Sequence, residues 1–361
     1  KKIQISLSSK GTKIKLLGEA GDNLLKFLNE NGFQVYSPCG GNGTCGKCKV
    51  LLKGKGHVTS CVYTLEENLD IVLPDSLEAS ILASQYEHSH SVPLSPGRFD
   101  ELSSFPVGVA IDIGTTTLVF HFLQLLTGVL VGTRTAMNPQ AKYGADVISR
   151  INYTITESTG LKTLQEELLK VINSELSHFA QETEVSLEDI VKLTITGNTT
   201  MLHLLLGEDP KSLAFVPFTP VFTEERRIEA STLKLSCNPK GDLWILPSLT
   251  AYLGADILAG IASLNPPEKI RNFLFVDIGT NGEMALITPQ KIYTCATAAG
   301  PAFEGANIEH GMPAMEGAIN IFEGLAEFST IGGTVAAGIC GSGLIDLVAV
   351  LKRLDIIKKD G

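Results

Sequence analysis

Val107–Leu125 reads VGVAIDIGTTTLVFHFLQL, and Asn272–Ile287 reads NFLFVDIGTNGEMALI, so that Asp277 repeats the setting of Asp112. Each stretch is an apolar run, a tight Asp-x-Gly-Thr turn and a second β-rich run, which predicts a strand, a turn and a strand. A single Asp-x-Gly-Thr is an Asx turn in an ordinary hairpin; two of them between buried strands point to an internal duplication. An aspartate at a strand end can hold hydrated Mg²⁺ or orient a water, while glycine and threonine N–H and hydroxyl groups approach phosphate oxygens closely. Two such turns facing each other across a cleft would clamp the β- and γ-phosphates of ATP. The expected catalytic pair is Asp112 and Asp277. Gly114, Thr115, Thr116 and Thr117 from the first turn, with Gly279, Thr280, Asn281 and Gly282 from the second, are the expected phosphate contacts.

Around these turns strands alternate with helices, which gives an α/β architecture. Leu161, Leu164, Leu168, Ile172, Leu176 and Phe179 fall at helical spacing and predict a core-facing helix. TGNTTM turns at Gly197-Asn198 into another helix, and PSLTAYLGADILAGIASL reads as a helix carrying Asp256 whose small residues permit close packing against the cleft. NPQAKYGADVISRI, Asn138–Ile151, is a loop into a helix. GICGSGLIDL puts Gly341 and Gly343 at a helix N-terminus, where free N–H groups and the dipole favour an anion, and these two join the expected nucleotide contacts. The paired turns resemble the phosphate loops of the acetate and sugar kinase, heat-shock protein and actin superfamily. That resemblance implies a duplicated, actin-like (ribonuclease H-like) module of two lobes around a nucleotide cleft.

The beginning of the chain is of another kind. KIQISLSS and KIKLL flank a Lys10-Gly11 turn and predict a hairpin; GDNLLKFLNENG predicts a short helix capped by Asp22 and stopped by Gly32. Hairpin, helix, cysteine loop and the strand KCKVLLKG follow the order of a β-grasp domain. Its loop carries Cys39-x5-Cys45-x2-Cys48, with Cys61 beyond the strand. Converging thiolates suit zinc or an iron–sulfur cluster. Gly40, Gly41, Gly43 and Gly46 favour the cluster, because a loop wrapping bridging sulfides needs positive φ and inward N–H groups. The loop resembles that of plant- and vertebrate-type [2Fe-2S] ferredoxins, with zinc or disulfides as the alternatives. Cys237, Cys295 and Cys340 stand apart and read as small buried apolar residues.

The 361 residues allow two or three domains, and 44% hydrophobic with 19% charged residues is a globular composition. A net charge of −10 without clustered lysine and arginine argues against nucleic acid. No run of about eighteen apolar residues predicts a membrane span, and nothing signals export, so the expected location is the cytoplasm. SHSVPLSPGRFDELSSFP reads as a linker. The expected organisation is a [2Fe-2S] β-grasp domain over 1–88, a linker over 89–106, a first actin-like lobe over 107–270 and the start of a second over 271–361. The lack of an initiating methionine and the ending LKRLDIIKKDG read as a fragment, and the second lobe is expected to be incomplete because no later adenosine-type turn mirrors TGNTTM.

Taken as a set, the cysteine loop, DIGTTT, NPQAKYGADVISRI, TGNTTM, YLGADILAGI, DIGTNGE, AGPAFEGANI and GICGSGLID resemble one family, the ATP-dependent reductive activators of corrinoid proteins. The resemblance implies that Cys39, Cys45, Cys48 and Cys61 hold a [2Fe-2S] cluster and that Asp112 and Asp277 orient Mg²⁺ or the hydrolytic water. It also implies an activity: one electron, taken from a reduced ferredoxin or reductase, returns inactive Co(II) to Co(I) in a corrinoid protein of a methyltransferase system, with ATP spent. A homodimer is expected from the resemblance alone. A phosphotransferase of the sugar or acid kinase type and a nucleotide-binding redox sensor are the competing readings.

Overall fold

Ile3, Ile5 and Leu7 alternate with polar residues, and that period turns all three into one core. The computed structural model describes residues 2–9, 12–33, 35, 37, 41, 43, 46–73, 99, 101–144, 146–264, 270–279, 281–297 and 308–358. In it β1 (Lys2–Ser9) pairs antiparallel with β2 (Thr12–Glu19), and α1 (Leu24–Glu30) buries Leu24, Leu25, Phe27 and Leu28 in the same core. The helix cap is Asn23, whose Oδ1 accepts the Lys26 N–H at 3.1 Å, and not Asp22 as expected. Asp22 Oδ2 instead accepts the Glu19 N–H at 2.8 Å, closing the turn out of β2, so capping passes one residue along. With β3 (Lys49–Leu52), β4 (Gly56–Thr59) and β5 (Leu69–Val72) the sheet order is β2-β1-β5-β3-β4, β5 lying parallel to β1. This is the β-grasp arrangement.

The chain divides into two compact units, residues 79–304 and residues 1–78 with 305–361. The first of these starts with residues read as linker: Ser103 Oγ donates to Asp189 at 2.5 Å, and Lys192 Nζ sits 5.4 Å from the Phe99 ring centre, so this end of the segment is tied down. Six strands follow: β6 (Val107–Ile113), β7 (Thr117–Gln124), β8 (Leu130–Met137), β9 (Ile190–Gly197), β10 (Arg226–Glu229) and β11 (Asp242–Ile245). Their order is β10-β11-β9-β6-β7-β8, and β6, β9 and β11 run parallel, so their carboxyl ends share one edge of the sheet.

Helices α2 (Val147–Thr156), α3 (Gly160–Glu182) and α4 (Thr199–Leu206) belong to the same unit. Leu164, Leu168, Ile172, Leu176 and Phe179 of α3 are buried in the core with β6, β7 and β9, as their spacing predicts, whereas Leu161 is only partly covered. After α5 (Ala255–Ser263), β12 (Phe273–Ile278), β13 (Gly282–Ile287) and β14 (Ile292–Thr297) form an antiparallel meander. In the other unit β15 (Ala318–Phe322), β16 (Phe328–Thr330), β17 (Gly338–Ile339) and α6 (Gly341–Arg353) enclose a small core of Ala318, Ile331 and Cys340. No helix among the described residues is long and apolar enough to cross a membrane.

His203 on α4 ties a loop to the core. Its Nε2 accepts the Val221 N–H at 3.1 Å, which requires Nδ1 to carry the proton donated to Thr199 O at 2.8 Å, and the ring stacks on Phe222 at 4.5 Å. Burial holds the imidazole below its usual pKa, so the fold wants it neutral while the unfolded chain takes up a proton as pH falls. The contribution is therefore full above about pH 6.5 and is lost as the pH drops below that value. Urea unfolding of wild type and His203→Gln at pH 7.5 and 5.5 isolates the group: the stability difference between the two proteins should move against wild type as the pH falls. A difference that does not change with pH would place the titrating group elsewhere.

Candidate functional site

Open α/β sheets bind ligands at the carboxyl ends of their parallel strands. At that edge β6 delivers Asp112 and then the turn Gly114–Thr117. Gly114 N–H donates to Thr117 O at 2.9 Å, and a Cβ at 114 would stand 2.7 Å from that oxygen, so the turn has no room for a side chain there. Its next three carbonyls are all held from behind. Asn138 Nδ2 donates to Gly114 O at 2.8 Å, the Arg150 guanidinium to Thr115 O at 2.5 Å, and the Asn138 N–H to Thr116 O at 2.8 Å. In a trans peptide the N–H points opposite to the carbonyl, so drawing these oxygens inward turns the N–H groups of Thr115, Thr116 and Thr117 the other way. Among the described residues no acceptor meets the N–H of Thr115 or Thr116. This is a backbone cradle for an anion.

Asn198 joins two neighbours to the turn. Its Oδ1 caps α4 by accepting the Met201 N–H at 3.0 Å, and its Nδ2 donates to Thr115 Oγ1 at 3.1 Å. Gly254 presses against it: an added Cβ would lie 2.4 Å from Asn198 Cα and 2.6 Å from Gly197 O. That approach sets the first turn of α5, and with it Asp256, beside the ends of β6 and β9.

Carboxyl groups crowd this site. Burial first, then the charges of Asp256 and Asp277, push Asp112 up to about 7. Burial with the charge of Asp277 pushes Asp256 to about 6, and burial with the charges of Asp256 and Asp277 pushes Glu283 to about 7. Asp277 is raised by burial. Asp112 and Asp277 nevertheless keep solvent-exposed surface, so they sit in a concavity that protein surrounds but water enters. Asp277 and Glu283 stand directly opposite on β12 and β13, a like-charge cross-strand pair that destabilises a sheet unless a cation or proton intervenes. Among the described residues no three acidic, histidine or cysteine side chains are placed to hold a metal unaided.

Of the expected phosphate residues, Gly114–Thr117 form the cradle described. Gly279 N–H donates to Asn281 O at 2.9 Å in the second turn, and Asn281 and Gly282 are half-buried, while Thr280 lies outside the described residues. Gly341 and Gly343 begin a helix, α6, as expected, and a Cβ at Gly343 would meet Ile319 O at 2.2 Å. Sequence reasoning assigned no role to Glu283 or Arg150 and left Asp256 as a helix residue. For Glu283 the signal was present, since antiparallel pairing across DIGTNGE sets it opposite Asp277.

In the β-grasp domain Cys48 and Cys61 are buried together, and the Cys61 N–H points at Cys48 Sγ at 3.4 Å. Gly41, Gly43 and Gly46 all have positive φ, at 85°, 74° and 63°. A Cβ at Gly43 would come within 3.0 Å of Val62. Paired thiols, an N–H aimed at sulfur and a left-handed glycine path fit an iron–sulfur cluster. Cys39 and Cys45 lie outside the described residues.

The chain thus joins a ferredoxin-type domain to an actin-like α/β module, and comparisons with known proteins agree. Residues 7–70 match the 2Fe-2S iron–sulfur cluster binding domain, residues 107–265 the RACo middle region, and residues 271–361 the C-terminal domain of RACo, the ASKHA domain. A solved structure described as a reductive activator for corrinoid, iron–sulfur protein superposes with a TM-score of 0.66 at 30% identity, covering 99% of this chain and 73% of that one. The chain belongs to this family of reductive activators of corrinoid proteins. The corrinoid activation enzyme RamQ of Eubacterium limosum is 35% identical over 257 residues, 70% of this chain and 43% of that protein. A [Co(II) methylated amine-specific corrinoid protein] reductase of Methanosarcina barkeri is 28% identical over 223 residues, 59% of this chain and 40% of its own length. The chain therefore spans less than half of either curated relative.

Proposed function

We propose that this chain couples ATP hydrolysis to the one-electron reduction of a corrinoid protein, Co(II) + e⁻ → Co(I), which restores the form competent for methyl transfer. The observation that carries the reading is the meeting of Asp112, Asp256, Asp277 and Glu283 around an anion-cradling turn, in a chain that also holds a 2Fe-2S domain. Asp112 and Asp277 orient Mg²⁺ or the attacking water, and the turns Gly114–Thr117 and Gly279–Gly282 receive the phosphates. Cys39, Cys45, Cys48 and Cys61 are the ligands of the [2Fe-2S] cluster, which when bound supplies one-electron transfer from a reduced ferredoxin or reductase. The domains proposed for these roles are 1–88, 107–270 and 271–361, joined by 89–106, in a cytoplasmic homodimer.

An uphill reduction needs either a stronger donor or a changed acceptor, and nucleotide binding can change the acceptor only by favouring one state of the complex over another. The test is anaerobic: full-length protein, a strong reductant, Mg-ATP and a Co(II) corrinoid protein, followed at the Co(I) absorption band. Co(I) formed with Mg-ATP and not without it supports the reading. ATP turnover with a reducible cluster but no Co(I) from any corrinoid protein would sink it.

A further inference from the structure

Arg150 heads the largest fully buried side chains of the described residues, and no carboxylate among them pairs with it. Its guanidinium spends its donors on neutral groups: Nε to Gly144 O at 2.9 Å, one terminal nitrogen to Gln140 Oε1 at 3.3 Å and Met201 Sδ at 3.2 Å, the other to Thr115 O at 2.5 Å. Burial draws the group down to about 10, with the charge of Asp146 offsetting only part of the effect, so it stays cationic at neutral pH. An unpaired buried charge is expensive, and a neutral side chain would bridge three backbone segments at lower cost. What the charge adds lies at Thr115 O. A cation on that carbonyl polarises the peptide and strengthens its other end, the Thr116 N–H, as a donor into the cradle.

We propose that Arg150 is the positioning residue of the first phosphate turn: it fixes the Thr115–Thr116 peptide and supplies, through it, the positive charge that the bound phosphates balance. The inference rests on the nucleotide reading of the cleft. It makes Arg150 matter in proportion to the negative charge of the ligand, which simple structural glue would not.

The experiment measures Kd for Mg-ATP and for AMP by calorimetry on the full chain, for wild type, Arg150→Gln and Arg150→Lys, with amide exchange at Thr115–Thr117 recorded in parallel. Arg150→Gln should weaken Mg-ATP about tenfold to a hundredfold and AMP by much less, and should speed exchange at Thr116. Arg150→Lys keeps the charge but lacks the planar fork, and should recover part of the Mg-ATP affinity. If Arg150→Gln does not fold, the lysine variant carries the comparison, and in wild type Mg-ATP but not AMP should slow exchange at Thr116. Wild-type affinity for Mg-ATP in both variants, or equal losses for ATP and AMP, overturns the proposal while leaving the nucleotide site standing. Failure of wild type to bind Mg-ATP overturns the nucleotide reading and the proposal with it.

Discussion

Asp112→Asn is expected to lower ATP turnover by at least about a thousandfold while making the nucleotide-free protein more stable at alkaline pH. The two effects have one cause. Burial and the charges of Asp256 and Asp277 hold the Asp112 carboxyl at about 7, against 3.8 for a free group, so the folded state binds this proton more tightly than the unfolded one. Stability from the group is therefore present below about pH 4 and is lost as pH rises towards 7, the reverse of the His203 slope. Asparagine has the same shape, carries no charge and escapes that loss. Water reaches Asp112 and screens part of the repulsion, so we expect a gain of about 1–2 kcal/mol at pH 8, fading to nothing near pH 4. The same crowding predicts proton release when a cation and phosphates bind, and hence Mg-nucleotide affinity that rises from pH 6 to 8. Calorimetric melting at several pH values, with turnover measured on the same samples, checks both parts. An inactive variant that melts below wild type at pH 8 would mean that Asp112 holds the fold together and is not a strained ligand group.

The second large effect is expected at Cys48→Ser. Cys48 is fully buried and receives the Cys61 N–H, so serine there replaces a soft thiolate donor by a hard hydroxyl. The variant should lose its 2Fe-2S absorption, and cobalt reduction should fall by at least about a hundredfold. ATP turnover should stay within about twofold of wild type, because Cys48 and the carboxylate cluster belong to separately packed units. Retention of an intact cluster would remove Cys48 from the ligand set. Loss of ATP turnover together with the cluster would mean that the two units do not act as independent bodies.

Periodicity carried most of the fold into view. The α3 leucines, the strand-turn-strand unit around Asp112 and the first strand all bury one face at a regular interval, and such intervals are visible in a linear string, whereas the apolar run before Asp277, expected to be buried, leaves Leu274, Val276 and Ile278 exposed. The site was legible where a turn imposes glycine and threonine in sequence. It was not legible where distant segments meet: Arg150 is an ordinary helix residue until Gly144, Gln140, Met201 and Thr115 close around it, and its burial is a fact of packing alone. Asp22 failed as a cap for a related reason, since two adjacent cap-forming residues compete and the turn from β2 claimed one of them. That the backbone of β15 lies against Gly343 was likewise not legible, since a helix start looks the same in sequence whatever packs on it.

The fit of Gly254 against Asn198 constrains how this protein can change over generations. Asn198 caps a helix and steadies Thr115, and the backbone at 197–198 leaves no space for a methyl group at 254, so glycine is required there whatever side chain stands at 198. Alanine at 254 would be tolerated only after the β9–α4 corner had shifted, and that shift would already have loosened Thr115. Drift at position 254 alone thus meets a fitness barrier, and so does drift at Gly132 of β8, where an added Cβ would stand 2.7 Å from the Phe179 ring.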